Sequence, residues 1–139
     1  MPSNPMKLYT PEVLSLATQL ARWPHDPEMP LQGRARSSSC GSVLAMSLAL
    51  DDAGAIEKIG LSAQACAIGQ ASAAIFAEAA PGQGKADLQT ALASIETWLK
   101  GEGPQPDWPG LSAIDAAKDY PARHGAVLLP WKSALDALP

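Results

Sequence analysis

Cysteine and histidine, the side chains that most often bind transition metals, are scarce in this chain. Its 139 residues include two cysteines, Cys40 and Cys66, and two histidines, His25 and His124. A structural disulfide is not expected, because a domain of this size does not need one and the cytoplasm keeps thiols reduced. The two cysteines are therefore core residues, reactive thiols or metal ligands.

Clustered positive charge is also lacking. The chain has ten basic and 14 acidic residues, a formal net charge of -4 and a pI near 5.0. The basic residues are scattered along the sequence, whereas a nucleic acid or an anionic membrane would need them in a patch or stripe. We therefore expect neither a nucleic-acid partner nor a membrane partner.

No apolar run is long enough to cross a bilayer, which takes about 20 residues. The longest one, residues 66–80, is shorter and contains polar side chains. The first ten residues include two prolines and have no apolar centre, so a signal peptide is not expected. We expect a cytoplasmic protein, and its length and 47% hydrophobic content predict one domain over residues 1–139.

An antiparallel hairpin is the clearest local pattern. Between Ser42 and Leu50, large apolar residues alternate with small ones at the period of two typical of a half-buried strand. A turn at residues 51–54 leads to a second strand, Ala55 to Ala65, in which Ile56 is out of phase as at a β-bulge. The residues predicted to share one face of that strand are Glu57, Ile59, Leu61 and Ala63.

Helices and loops account for the rest. Thr10 is a good N-cap for a first helix that ends at Trp23-Pro24, and residues 33–39 predict a loop that can contain a short edge strand. Further helices are predicted at residues 66–80, 85–100 and 111–118, and a last one from near Pro130. We expect an α+β fold with a small antiparallel sheet of about three strands and helices packed on one face.

The tryptophans are expected to be core or loop anchors. An exposed aromatic patch at Trp108-Pro109 is the less favoured alternative. The four tryptophans are Trp23, Trp98, Trp108 and Trp131.

The two cysteines flank the predicted hairpin. Cys40 precedes its first strand and Cys66 follows its second, so antiparallel topology predicts that both thiols lie at one end of the sheet. Cys66 also starts a helix, where unpaired N–H groups and the helix dipole favour a thiolate. The alternative is that Cys66 is simply a small buried residue.

Three segments resemble the IscU/SufU/NifU N-terminal family of iron-sulfur cluster assembly scaffolds. Cys40-Gly41-Ser42 is similar to the family's Cys-Gly-Asp motif, and the run Cys66 to Ser72 matches its Cys-Ala-Ile-x-x-Ala-Ser helix start, 26 positions on. Residues 123–132 resemble its Arg-x-x-Cys-x-x-Leu-x-Trp segment. The stretch 85–121 looks like the insertion of the SufU branch.

The resemblance implies a metal site, which this chain carries in altered form. The family's four ligand positions correspond to Cys40, Ser42, Cys66 and Ala126, so two of the ligands are replaced. His124 is a candidate third donor, and the alternative is that it is a surface or hydrogen-bonding histidine. A symmetric dimer offering four thiolates is another solution, whereas His25 is expected to be solvated.

The implied function is that of a scaffold or carrier for a transient iron-sulfur cluster or its sulfur, with zinc as another metal for the same thiolates. Its partners would be a cysteine desulfurase and the proteins that accept the cluster. A metal-free regulator that binds a desulfurase or a scaffold is the alternative. A thiol enzyme is disfavoured, because no acid, base and oxyanion donors accompany Cys66 in the sequence.

Overall fold

The computed structural model describes residues 8–38 and 41–139. Single-turn and 3₁₀ segments connect its main elements at residues 19–22, 111–119 and 121–123. The main elements are helix α1 (Pro11–Thr18), strands β1 (Leu31–Arg36), β2 (Val43–Leu50) and β3 (Ile56–Gln64), and helices α2 (Ala67–Ala79), α3 (Lys85–Leu99) and α4 (His124–Ala137).

The strands form one antiparallel sheet in the order β1-β2-β3. Arg36 pairs with Val43, and Val43 pairs with Gln64 on its other side. The predicted hairpin and its edge strand are thus confirmed, as is the α+β fold class. The edge strand starts at Leu31, two residues before the segment 33–39 in which it was predicted, and pairs with β2 over all six of its residues.

Helix α4 covers one face of the sheet. Leu44, Met46 and Leu48 point towards it and are almost completely buried. Gly33, the partner of Met46 on β1, approaches α4 so closely that a Cβ there would overlap the Ser133 carbonyl oxygen. The contact is possible only because glycine has no side chain.

A segment of residues 23–29, here called the strap, crosses part of the opposite face. It begins at the edge of β3, where the Leu61 N–H donates to the Trp23 carbonyl (2.8 Å). It continues over Gly60 to β2, where the Asp26 N–H donates to Ser47 Oγ (3.0 Å). The histidine on the strap, His25, is hydrogen-bonded through Nε2 to the side chain of Gln32 (3.0 Å).

The prediction for the face of β3 was wrong at its start. Ala49 pairs with Lys58 but Leu50 pairs with Ile56, so a register shift leaves Glu57 without a directly opposed partner. This bulge turns Ile56 into the core and Glu57 towards solvent. An irregularity of one residue exchanges the two faces of a strand, and periodicity alone does not show on which side of it each residue lies.

The prediction for the last helix was also wrong. Helix α4 begins at His124, with Pro130 as its seventh residue instead of its first. Proline is usually excluded from a helix interior because it lacks an N–H. Here burial of nearly the whole helix offsets that loss, since Ala126 to Trp131 are all buried.

Three of the four tryptophans are in the core, as predicted. Trp98, Trp108 and Trp131 are buried, and Trp108 Nε1 donates to the Ile75 carbonyl oxygen (3.0 Å). The alternative of an exposed patch at Trp108 is therefore wrong. Among the described helices, none has the length and apolar character needed to cross a membrane.

Candidate metal and sulfur site

Cys66 occupies the N-cap of α2, directly after the last strand of the sheet. Its backbone is extended (φ -63°, ψ 170°), and its side chain makes no capping hydrogen bond. Gln70 closes the turn, since its N–H donates to the Cys66 carbonyl (3.0 Å) and its Nε2 to the Ala65 carbonyl (2.9 Å). The half-buried thiol is free and lies at the N-terminus of the helix.

Cys40 lies outside the described residues, so its distance to Cys66 stays a prediction. The residues that follow it, Gly41 and Ser42, are hydrogen-bonded to the end of β1 through Ser37. Gly41 has a positive φ of 70° and donates its N–H to the Ser37 carbonyl (2.8 Å), while the Ser37 N–H donates to the Ser42 carbonyl (2.8 Å). This turn joins β1 to β2 at the end of the sheet where β3 runs into Cys66.

The other two positions that resemble ligand positions are both buried. Ser42 is 5% exposed and Ala126 is fully buried. Ala126 lies in the first turn of α4 and packs against the first turn of α2, with its Cβ 3.5 Å from where a Cβ on Gly69 would stand. Ala126 therefore contacts α2 at Gly69, about one helical turn after Cys66, but the methyl group of Ala126 offers no donor atom.

His124 is the first residue of α4. Its Nε2 lies 2.9 Å from the Lys118 carbonyl oxygen. A carbonyl only accepts, so Nε2 donates in this bond, and Nδ1 is the ring nitrogen that the bond does not engage. This is a hydrogen-bonding histidine, as one of the two interpretations predicted; a metal-binding histidine commonly has the same kind of bond on its second nitrogen.

The described donors do not complete a metal site on their own. Within residues 8–38 and 41–139, no group of three or more His, Cys, Asp or Glu side chains is placed to hold a metal ion. The sulfur and imidazole atoms of Cys66 and His124 suit zinc or iron by their chemistry. A full set would need Cys40 or a second copy of the chain.

Two residues that support Cys66 were missed in the sequence. Gly69 lets α4 approach α2, and Ser72 Oγ donates to the Val127 carbonyl (2.6 Å) to hold the two helices together. A glycine inside a helical pattern is a known sign of close backbone approach and could have indicated the first. Ser72 stands at the helical spacing of the apolar face, between Ile68 and Ile75, and this position could have indicated its burial.

Comparisons with known proteins give the same assignment from sequence and from fold. No protein-family model matches the chain. The iron-sulfur cluster assembly scaffold protein IscU of Thermotoga maritima is 26% identical over 104 residues, which are 74% of this chain and 72% of that protein. The crystal structure of the N-terminal part of a NifU-like protein from Brucella abortus superposes with a TM-score of 0.86 at 27% identity, covering 97% of this chain and 94% of that one. By sequence and by fold, the chain is similar to the IscU/NifU-like family of iron-sulfur cluster assembly scaffolds.

A third comparison extends the fold match within this IscU/NifU-like group. A protein described as an iron-sulfur cluster assembly scaffold for the SUF system, from Fervidobacterium islandicum, superposes with a TM-score of 0.85 at 21% identity. The match covers 98% of this chain and all of that one. At this identity the likeness concerns the fold alone.

Proposed function

We propose that this IscU/NifU-like chain is a cytoplasmic scaffold or carrier that holds a transient iron-sulfur cluster, or the sulfur for one, as cargo. The observation that carries the proposal is the free, half-buried thiol of Cys66 at the N-terminus of α2. Relatives by sequence and by fold are scaffold proteins for this assembly. A carrier needs to bind and release its cargo, so we assign it no catalytic turnover.

Sulfur would arrive from a cysteine desulfurase as a persulfide. The thiolate of Cys66 would attack the outer sulfur of the donor's persulfide, and the donor's sulfur-sulfur bond would break as the new one forms. The donor cysteine leaves as a thiolate, so the persulfide moves without net oxidation. Proteins that need the cluster would be the partners at the next step.

Cys40, Cys66 and His124 are the proposed ligands for the cluster iron or for zinc. Thiolates and a neutral imidazole suit both metals, which usually take about four donors. A set of three leaves one position open to a partner's ligand or to a second copy of the chain. Open coordination is consistent with a cargo that has to leave.

Anaerobic reconstitution tests the proposal. Wild-type protein incubated with ferrous iron and sulfide should give a species that absorbs visible light, because thiolate-bound clusters are coloured. Cys40→Ser and Cys66→Ser should each lose it, whereas Thr90→Ala, an exposed change on α3, should keep it. Iron and acid-labile sulfide should be measured on each protein. A colourless wild type with neither zinc nor iron in stoichiometric amount would contradict the carrier function.

The role of His124 has its own test. His124→Gln keeps a donor that can reach the Lys118 carbonyl but removes Nδ1. It should weaken zinc binding about tenfold or more, because losing a bound donor should cost at least as much as changing a group that only supports a ligand. His25→Gln is the matched control, because His25 is on the strap and bonded to Gln32. Competition with a chromophoric chelator measures both affinities. If His124→Gln is silent while zinc uptake follows dimer formation, the missing donors come from a second copy.

A metal-free regulator is the second candidate function, and the burial of Ala126 and Ser42 favours it. Neither position offers a strong donor, and both are packed in the protein interior. Under this alternative the protein would bind a desulfurase or a scaffold while holding no metal. A stable complex with a desulfurase, formed by protein that stays colourless in the reconstitution, would support it.

A further inference from the structure

The outer face of the sheet is open at the end that leads to Cys66. We call it the basic face, and two rows of paired residues form it. In each row the β1 residue is an exposed arginine, the β2 residue is small or β-branched and half-buried, and the β3 residue is exposed and polar. The rows are Arg36-Val43-Gln64 and Arg34-Ala45-Ser62.

No helix covers this face. Arg34 and Arg36 alternate along β1 with Gly33, which faces α4, so both arginines lie on the opposite side. The strap crosses only the next row, at Ser47 and Gly60. The centre of the two open rows is formed by Val43 and Ala45, so no side chain there is larger than valine.

The charge of the basic face is opposite to that of the protein as a whole. The chain has a formal net charge of -4, yet neither Arg34 nor Arg36 forms an ion pair with another described residue. Asp136 lies at the edge of β1, where its Oδ2 accepts the Arg34 backbone N–H (2.9 Å). The acids of the strap, Asp26 and Glu28, lie beyond the open rows.

We propose that the basic face docks an acidic surface of the protein that delivers sulfur to Cys66, an inference that rests on the proposed function. Gln64, in the same row as Arg36, is two residues before Cys66, so a partner seated here stands beside the thiol. Opposite charges across an interface speed association and set its orientation. The charge pattern favours an acidic protein surface over two other occupants, a second copy of this chain and a nucleic acid.

A second copy docked face to face would bring four arginines into the interface, and neither basic face has a carboxylate in its two rows to pair with them. A nucleic acid would need a longer basic stripe than two side chains on an acidic protein supply. Acidic side chains on a protein surface match two arginines about one strand repeat apart. Bidentate pairing with carboxylates is the interaction that arginine makes best.

Charge reversal tests the docking face. The probe is the purified cysteine desulfurase from the same genome, loaded with radiolabelled sulfur from cysteine. Arg34→Glu with Arg36→Glu should weaken its binding roughly tenfold or more and slow sulfur acceptance in proportion, as for close charge pairs at interfaces. Arg34→Gln with Arg36→Gln should bind with an affinity between those of the wild type and the charge-reversed variant. The wild-type affinity should decrease as salt is raised from about 50 to about 300 mM, because salt screens exposed charge pairs over about 8–10 Å at physiological ionic strength.

The matched control is Lys100→Glu with Lys132→Glu. Both lysines are exposed: Lys132 lies on α4, which packs on the opposite face of the sheet, and Lys100 directly follows α3. Both double variants lower the formal net charge by the same amount. The control should bind the desulfurase within about twofold of wild type, since only local charge pairs are at issue. Thermal unfolding confirms that each variant is folded.

The outcomes separate this inference from the proposed function. Cluster formation from inorganic iron and sulfide needs no desulfurase, so the arginine variants should reconstitute as wild type does. If they reconstitute and also accept sulfur normally, the docking inference is overturned and the carrier function stands. It is equally overturned if the arginine changes alter only self-association or only RNA binding. If no protein reconstitutes or accepts sulfur, the carrier function itself fails.

Discussion

Substituting Ser42→Asp and Ala126→Cys together should tighten zinc binding by about 100-fold or more, because each added donor should contribute at least the tenfold typical of far weaker perturbations of a metal site. Zinc prefers four donors in a tetrahedron, and these two changes restore the pattern that the family resemblance implies. Ala126 is well placed, since it packs against the first turn of α2 beside Gly69. Chelator competition at equal protein concentration measures the change.

Two controls isolate the new site. Ala134→Cys adds a thiol at another fully buried alanine of α4, two turns further along the helix, and should leave zinc affinity unchanged. Adding Cys66→Ser to the double variant should remove most of the gain, because Cys66 supplies one of the four donors. The added sulfur occupies a packed position, so a stability loss of about 1–3 kcal/mol without metal is expected and should be recovered with zinc. If the double variant is folded but does not bind zinc, the pocket no longer has room for a metal ion among these side chains.

Replacing Trp131 by alanine should lower the free energy of unfolding by about 4 kcal/mol, the range found for large buried aromatics. Trp131 is fully buried at the centre of an aromatic cluster with Phe76 and Trp108. Its ring meets theirs edge to face at centroid distances of 5.4 and 5.1 Å, and Phe76 stacks on Trp108 at 5.5 Å. Such aromatic pairs contribute stability beyond that expected from the apolar area that they bury. Urea unfolding followed by circular dichroism measures the loss.

A comparison of two tryptophan-to-phenylalanine variants tests whether each indole stabilises the fold by packing alone or also by its N–H hydrogen bond. Trp131 Nε1 is buried without a hydrogen-bond partner among the described residues, whereas Trp108 Nε1 donates to Ile75. Trp131→Phe removes an unpaired donor, so it should cost less than about 1.5 kcal/mol. Trp108→Phe should cost about 1 kcal/mol more than Trp131→Phe, because it also breaks a hydrogen bond. The reverse order would show that the Trp131 indole is satisfied by a buried water.

The aromatic cluster and the candidate site depend on the same two helices. Phe76 belongs to α2 and Trp131 to α4, and at the other end of the same contact Gly69 meets Ala126. The cluster therefore sets the distance between the N-terminal turns that carry Cys66 and His124. Zinc affinity should be measured only on tryptophan variants that remain folded.

Patterns confined to neighbouring residues predicted much of this protein. Alternation along residues 42–50 predicted β2, and the change from period two to helical spacing predicted that α2 starts at Cys66. Antiparallel pairing then predicts that the chain after Cys40 and the chain before Cys66 meet at one sheet end, as Val43 opposite Gln64 confirms. These inferences succeed because hydrophobic period and capping act over a few residues.

Other features depend on contacts between residues far apart in the chain. The interior position of Pro130, the burial of Ile56 instead of Glu57 and the path of the strap over Gly60 follow from packing that no local period encodes. Burial of Ala126 against Gly69 is of the same kind, since the two are 57 positions apart in the sequence. Local propensity contributes only tenths of a kcal/mol per residue to helix formation, and the burial of a whole helix face outweighs it.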